Sequence, residues 1–156
     1  MSADNLRESY TELNNSLFLP TEVVDKNAKL LIEAPENVSL TKKMRLESIA
    51  AHPNYSREIY ELILSSFGPE LLTSDDINIL HLLISNKNAT REDITTLQTY
   101  AVTSGNAEWF SSVVMKTIEL NEYQLGLSYN GVSVFHDRDL REQMLRTIAL
   151  LKEFQQ

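Results

Sequence analysis

Cysteine is absent from the 156 residues, which removes a disulfide framework, a thiolate zinc site, an iron–sulfur centre and a cysteine nucleophile together. Proline and glycine are scarce, four of each, and this argues against disorder and against a β fold with many turns. No apolar run approaches the roughly 18 residues of a membrane span. The first residues, Met1-Ser2-Ala3-Asp4-Asn5-Leu6-Arg7-Glu8, are polar and acidic, the opposite of the basic and apolar start of a signal peptide. The expectation is a cytoplasmic protein without membrane contact.

Positive charge is also in short supply: 14 Lys and Arg stand against 22 Asp and Glu, for a formal net charge of −8. Phosphate binding draws on clustered Lys and Arg, so nucleic acid is not the expected partner. The acidic balance raises the opposite idea, a mimic of nucleic acid. Residues 1–38 hold seven acids and three bases, but 39–72 and 124–156 hold four of each, so the excess is spread. A solubilising surface accounts for it better. The basic cluster Lys42-Lys43-Arg45 is short and interrupted by Met44, and reads as a solvated helix face.

Motifs that carry chemistry are equally thin. His52, His81 and His136 are dispersed, with no second His or carboxylate at ligand spacing. His136 beside Asp137 and Asp139 comes nearest to a site, yet Asp137 is also a good helix cap. The pairs Asp75-Asp76 and Glu92-Asp93 fall in the first turns of predicted helices, where the helix dipole and capping explain them. Gly68, Gly105, Gly126 and Gly131 are isolated, so no phosphate loop forms. No catalytic residue, cofactor or metal is expected.

What is present is a recurrence of helix starts. Ser39, Ser56, Thr73 and Thr90 are 17 residues apart, and the next register position, Ala107, opens another apolar-periodic run. Asn precedes three of these caps by two residues: Asn37, Asn54 and Asn88. The first amides of a helix lack intrahelical partners, and a Ser or Thr side chain at the N-cap accepts from one of them. Ser56-Arg57-Glu58 and Thr90-Arg91-Glu92-Asp93 are 34 residues apart, which suggests a two-helix unit. Apolar spacing agrees. Leu6, Tyr10, Leu13 and Leu17 stripe a first helix, and Val23, Val24, Leu30 and Leu31 a second that starts at Thr21. Leu40, Met44, Ile49 and Ala50 mark the third; Ile59, Tyr60, Ile63, Leu64 and Phe67 mark the fourth. Ile77, Leu80, Leu83 and Ile84 follow, then Ile94, Leu97, Tyr100 and Ala101. The seventh run, Trp109, Phe110, Val113, Val114 and Ile118, is the most apolar and is expected to be central.

The segment Ala51-His52-Pro53-Asn54-Tyr55-Ser56 followed by Ile59, with its echo Ser85-Asn86-Lys87-Asn88-Ala89-Thr90 followed by Ile94, resembles the repeat of leucine-rich-repeat-variant and HEAT-like α-solenoids. There a short Asn/Pro turn precedes a Ser/Thr-capped helix. The resemblance covers about residues 21–120 and implies a superhelical stack used for protein binding, with no chemistry. The chain departs from the pattern in three ways. Arg57 and Arg91 stand where proline follows the cap, the period differs from that of the variant repeat, and the cysteine cluster of some members is missing.

After Leu120 the pattern changes. Leu125-Gly126-Leu127-Ser128-Tyr129 and Val132-Ser133-Val134-Phe135 flank Asn130-Gly131, the pairing that marks a tight β-hairpin. Leu140, Met144, Ile148 and Leu151 then stripe a last helix. The expected fold is all-α: one domain over 1–156, a short right-handed stack of antiparallel helical hairpins with about eight helices. The 17-residue register runs from about 21 to 120, a small hairpin lies near 125–135, and a capping helix spans about 137–155. The expected function is non-enzymatic: a protein-binding adaptor or inhibitor that meets its partner at the irregular end through Tyr123, Tyr129, Asn130 and Phe135. A structural subunit of a larger complex or virus particle, which self-associates, is the second reading. An acidic nucleic-acid mimic is the third.

Overall fold

A computed structural model describes residues 3–15, 19–35, 41–52, 54–67, 77–129 and 138–155. These form eight α-helices, with no strand among the described residues. They are α1 (Ala3–Asn15), α2 (Thr21–Glu33), α3 (Lys42–Ala50), α4 (Arg57–Phe67), α5 (Ile77–Ile84), α6 (Arg91–Thr103), α7 (Ala107–Tyr129) and α8 (Arg138–Lys152). They divide into two compact units, Met1–Leu71 and Leu72–Gln156.

In the first unit α2 is the central element and packs against α1, α3 and α4. Its buried side is Val24, Ala28 and Leu31, at the i, i+4, i+7 spacing that places residues on one helical face. Leu6 and Leu13 of α1, Leu46 and Ile49 of α3, and Ile59, Tyr60, Ile63 and Leu64 of α4 complete this core. Met44, expected on the buried stripe of α3, is exposed, and Leu46 and Ile49 take that role.

Polar side chains set the helix directions. Ser48 Oγ donates to Asn14 Oδ1 at 3.0 Å, and the His52 ring bonds the Leu13 carbonyl, so α3 ends beside the end of α1. The beginning of α3 meets the end of α2 through Arg45, whose Nη1 donates to the carbonyls of Leu31 at 2.9 Å and Ala34 at 3.0 Å. Thus α2 runs opposite to α1 and α3. The beginning of α4 is tied to the beginning of α2: the Ser56 N–H donates to Asp25 Oδ1 at 2.9 Å, and Thr21 Oγ1 donates to the Asn54 carbonyl at 2.9 Å. Asn54 Nδ2 donates in turn to the Leu19 carbonyl at 2.7 Å.

Lys42 and Lys43 are exposed as expected of a solvated basic face, but Arg45 departs from that reading, because it is only 1 % exposed. A helix C-terminus leaves carbonyls without partners and carries partial negative charge, and a buried guanidinium answers both needs. The structure starts α3 at Lys42. Ser39 lies outside the described residues, and the cap is Thr41, whose hydroxyl accepts from the Met44 N–H at 3.3 Å. Arg45 Nε donates to the Thr41 carbonyl at 3.4 Å, one turn back along α3.

The remaining register positions fall as follows. Ser56 sits immediately before α4 and accepts at its hydroxyl from the Ile59 N–H. Thr90 and Asp93 form a full capping box: the Asp93 N–H donates to Thr90 Oγ1 at 3.3 Å and the Thr90 N–H donates to Asp93 Oδ2 at 2.8 Å. α7 begins at Ala107, as the spacing expects. Thr73, Asp75, Asp76 and Asp137 lie outside the described residues.

In the second unit α7 is the hub, packing on α5, α6 and α8. A three-residue link joins it to α6. Gly105, at φ +78°, sends its N–H to the Val102 carbonyl at 3.3 Å, and the Asn106 N–H reaches back to the Ala101 carbonyl at 2.7 Å. This left-handed closure satisfies the last carbonyls of α6 and suits a residue without Cβ. On the opposite flank α8 clamps the turn between α5 and α6. Arg146 donates to the carbonyls of Lys87 at 2.9 Å and Ala89 at 2.6 Å, and Arg91 pairs with Glu153 near the end of α8.

The hairpin expected near 125–135 is corrected in its first arm. Leu125 to Tyr129 are the closing turns of α7, which runs unbroken for 23 residues. Its buried stripe is Phe110, Val113, Val114, Thr117, Ile118, Asn121 and Leu125. Thr117 and Asn121 occupy stripe positions, so a scan for apolar residues loses the helix where the helix continues. The second arm, 130–135, lies outside the described residues.

Candidate functional site

The polar interruption of the α7 stripe is the most distinctive feature of the second unit. Thr117 is 0 % exposed, and its hydroxyl donates to the Val113 carbonyl at 2.7 Å. Asn121 Nδ2 donates to the Thr117 carbonyl at 2.7 Å. Both bonds follow the i to i−4 pattern by which a polar side chain settles on its own helix. From α5, His81 Nδ1 lies 2.8 Å from Thr117 Oγ1. That hydroxyl has already given its hydrogen to Val113, so His81 Nδ1 carries the proton and Nε2 is the acceptor nitrogen. Burial pushes the His81 pKa below its usual 6.5, which favours the neutral ring.

Of these residues His81 and Asn121 line a cleft of about 180 Å³ between α5, α7 and α8. Ser85, Gln124, Gln143 and Thr147 add further polar atoms, while Leu120, Leu140 and Met144 supply an apolar lip. Gln143 Nε2 donates to the Ser85 carbonyl at 3.2 Å, and Ser85 Oγ donates to the His81 carbonyl at 2.6 Å. Among the described residues no Asp, Glu, Lys or Arg lines the cleft.

At the lip of the cleft Leu120 is 50 % exposed, and Tyr123, three residues on, is 66 % exposed. Residues three apart are neighbours on a helix surface, so the two make one apolar step along α7. Of the contact residues expected from sequence, Tyr123 is thus exposed on α7, and Tyr129 is the last residue of that helix. Asn130 and Phe135 lie outside the described residues, as does His136. His52 and His81 belong to different units and meet no second ligand, and among the described residues no group of three His, Asp or Glu could hold a metal. No helix of the described residues is long and apolar enough to cross a membrane.

Sequence reasoning missed Thr117, Asn121, Gln143 and Thr147. The available signal was a polar residue at each of two successive positions of an otherwise apolar stripe. Among the described residues these features make an all-helical fold with a polar cleft and an exposed apolar step at its lip. Set against known proteins, the chain matches no family, no curated protein and no solved structure.

Proposed function

We propose that this chain is a non-enzymatic protein-binding module, an adaptor or inhibitor, built from helical hairpins of the HEAT-like kind. The observation that carries the reading is the pair Leu120 and Tyr123, standing exposed one helical turn apart on α7. An exposed aromatic next to an exposed aliphatic costs solvation unless something covers it, and Tyr is enriched among residues that dominate binding energy. The 34-residue echo of the Asn54 and Asn88 turns supports the repeat aspect of the proposal.

The test is affinity capture of the tagged protein from its native lysate with mass spectrometry. A Leu120→Ala, Tyr123→Ala double variant, checked by circular dichroism, runs alongside. A stoichiometric protein retained by the parent and lost from the folded variant is the expected result. A capture profile identical in the two samples removes α7 as the contact surface, and a profile holding only copies of this chain turns the reading towards a self-associating subunit.

A further inference from the structure

We propose, resting on the reading of α7 as a protein-contact surface, that its exposed face docks a basic amphipathic helix of the partner. Leu120 and Tyr123 are joined on this helix by Met115, which is 43 % exposed. Glu119 stands four residues after Met115 and four before Tyr123, and Glu122 follows three beyond Glu119. Helical spacing therefore sets both carboxylates beside the three apolar side chains. Glu119 and Glu122 are themselves exposed, and among the described residues neither enters an ion pair.

Charge selects the sign of the occupant. Along α7, Glu108, Glu119 and Glu122 are exposed and stand against one base, Lys116. No basic residue occupies the last turn of the helix, so the negative end of its dipole adds to the same sign. The chain as a whole carries a formal charge of −8, which draws cationic segments in before contact. Lys and Arg of an incoming segment meet carboxylates here, whereas an acidic segment, a nucleic acid or an anionic lipid surface meets like charge.

Shape selects a helix. An extended peptide binds by adding a strand to a sheet edge, and no strand occurs among the described residues. A proline-rich segment needs an aromatic-lined groove, and Tyr123 is the one exposed aromatic of this face among the described residues. A second helix instead lays its i, i+3, i+4 and i+7 residues along the first, ridges into grooves. Met115 to Tyr123 rises about 12 Å, more than two turns, which matches two successive apolar turns of a partner helix. Leu140 and Met144 of α8 line the cleft with Leu120, so apolar surface continues past α7 at that point.

The probe is a fluorescein-labelled helical peptide of about 18 residues, Leu on one face and Lys on the other, titrated with the full-length protein and followed by anisotropy. The comparisons are the same peptide with Glu in place of Lys, and a scrambled peptide of unchanged composition that has no apolar face. Saturable binding of the basic amphipathic peptide alone is expected, in the micromolar range and weakening with added salt. Glu119→Gln, Glu122→Gln, at exposed positions that leave the core untouched, is expected to weaken it about threefold to tenfold and to flatten the salt dependence. Leu120→Ala, Tyr123→Ala is expected to weaken it about tenfold or more.

The proposal is overturned if the acidic or scrambled peptide binds as tightly, if the Glu119→Gln, Glu122→Gln protein binds like the parent, or if no saturable binding occurs. Capture from lysate separates it from the broader reading. A protein lost from the Leu120→Ala, Tyr123→Ala variant but held fully by the Glu119→Gln, Glu122→Gln variant keeps α7 as the contact surface and overturns the basic helix. A protein reduced in both variants supports both. Capture unchanged in the Leu120→Ala, Tyr123→Ala variant overturns both.

Discussion

Three side chains carry more of this structure than their number suggests. Thr90 closes a reciprocal capping box with Asp93, and Thr90→Ala is expected to lower stability by about 1 kcal/mol, read as a lower midpoint in urea. An unchanged midpoint would remove the cap from the account of α6. Arg45 is different in kind, because it is buried and bonds two carbonyls of another segment. Arg45→Met is expected to cost about 2 kcal/mol, since both carbonyls lose their donor in a place water does not easily reach. Arg45→Lys is expected to recover only part of that loss, because an ammonium lacks the planar fork that spans two acceptors. Full recovery with Lys would reduce the role of Arg45 to its charge. Tyr55 belongs to the same buried set, and burial holds its phenol neutral by raising its pKa well above the usual 10.

Among the elements, α7 decides the most. Gly126 lies inside this helix, where a residue without Cβ weakens the element. In α7 a Cβ at Gly126 would meet nothing within 4 Å. Gly126→Ala is therefore expected to stabilise the protein by about 0.5–1 kcal/mol, measured as a raised melting temperature. Destabilisation would argue against the continuous helix. The turns before α4 and α6 also repay comparison. They share the Asn-x-Ser/Thr pattern 34 residues apart, yet the first is held by Thr21 and Asp25 from the preceding α2, the second by Arg146 from the following α8. Local sequence repeats because every helix start has the same orphan amides. The partner that clamps the turn does not repeat, because it comes from whichever helix packs there.

For the molecule as a whole, far-UV circular dichroism is expected to be dominated by helix, and a mainly β spectrum would contradict all eight elements. The pH dependence follows from His81. Its pKa is lowered by burial in the folded state, so the unfolded chain binds the proton more readily between the folded value and 6.5. The stability associated with the neutral ring is thus fully present above about 6.5 and is lost as pH falls below it. Urea midpoints of the parent and a His81→Gln variant, compared on both sides of pH 6.5, check this. The parent is expected to lose more on acidification than the variant, and parallel loss would assign the effect to other groups.

The sequence by itself determined the all-α class, the starts of α2, α4, α6 and α7, and most of the core faces. Capping and helical periodicity are local physics, readable over a few residues. Only the tertiary structure decided that Arg45 is buried, that α7 continues through Gly126, and that a polar cleft opens beside Thr147. Each of these depends on what a side chain meets across the unit. A buried Thr, Asn or Arg looks like a surface residue until the helix that covers it is in place.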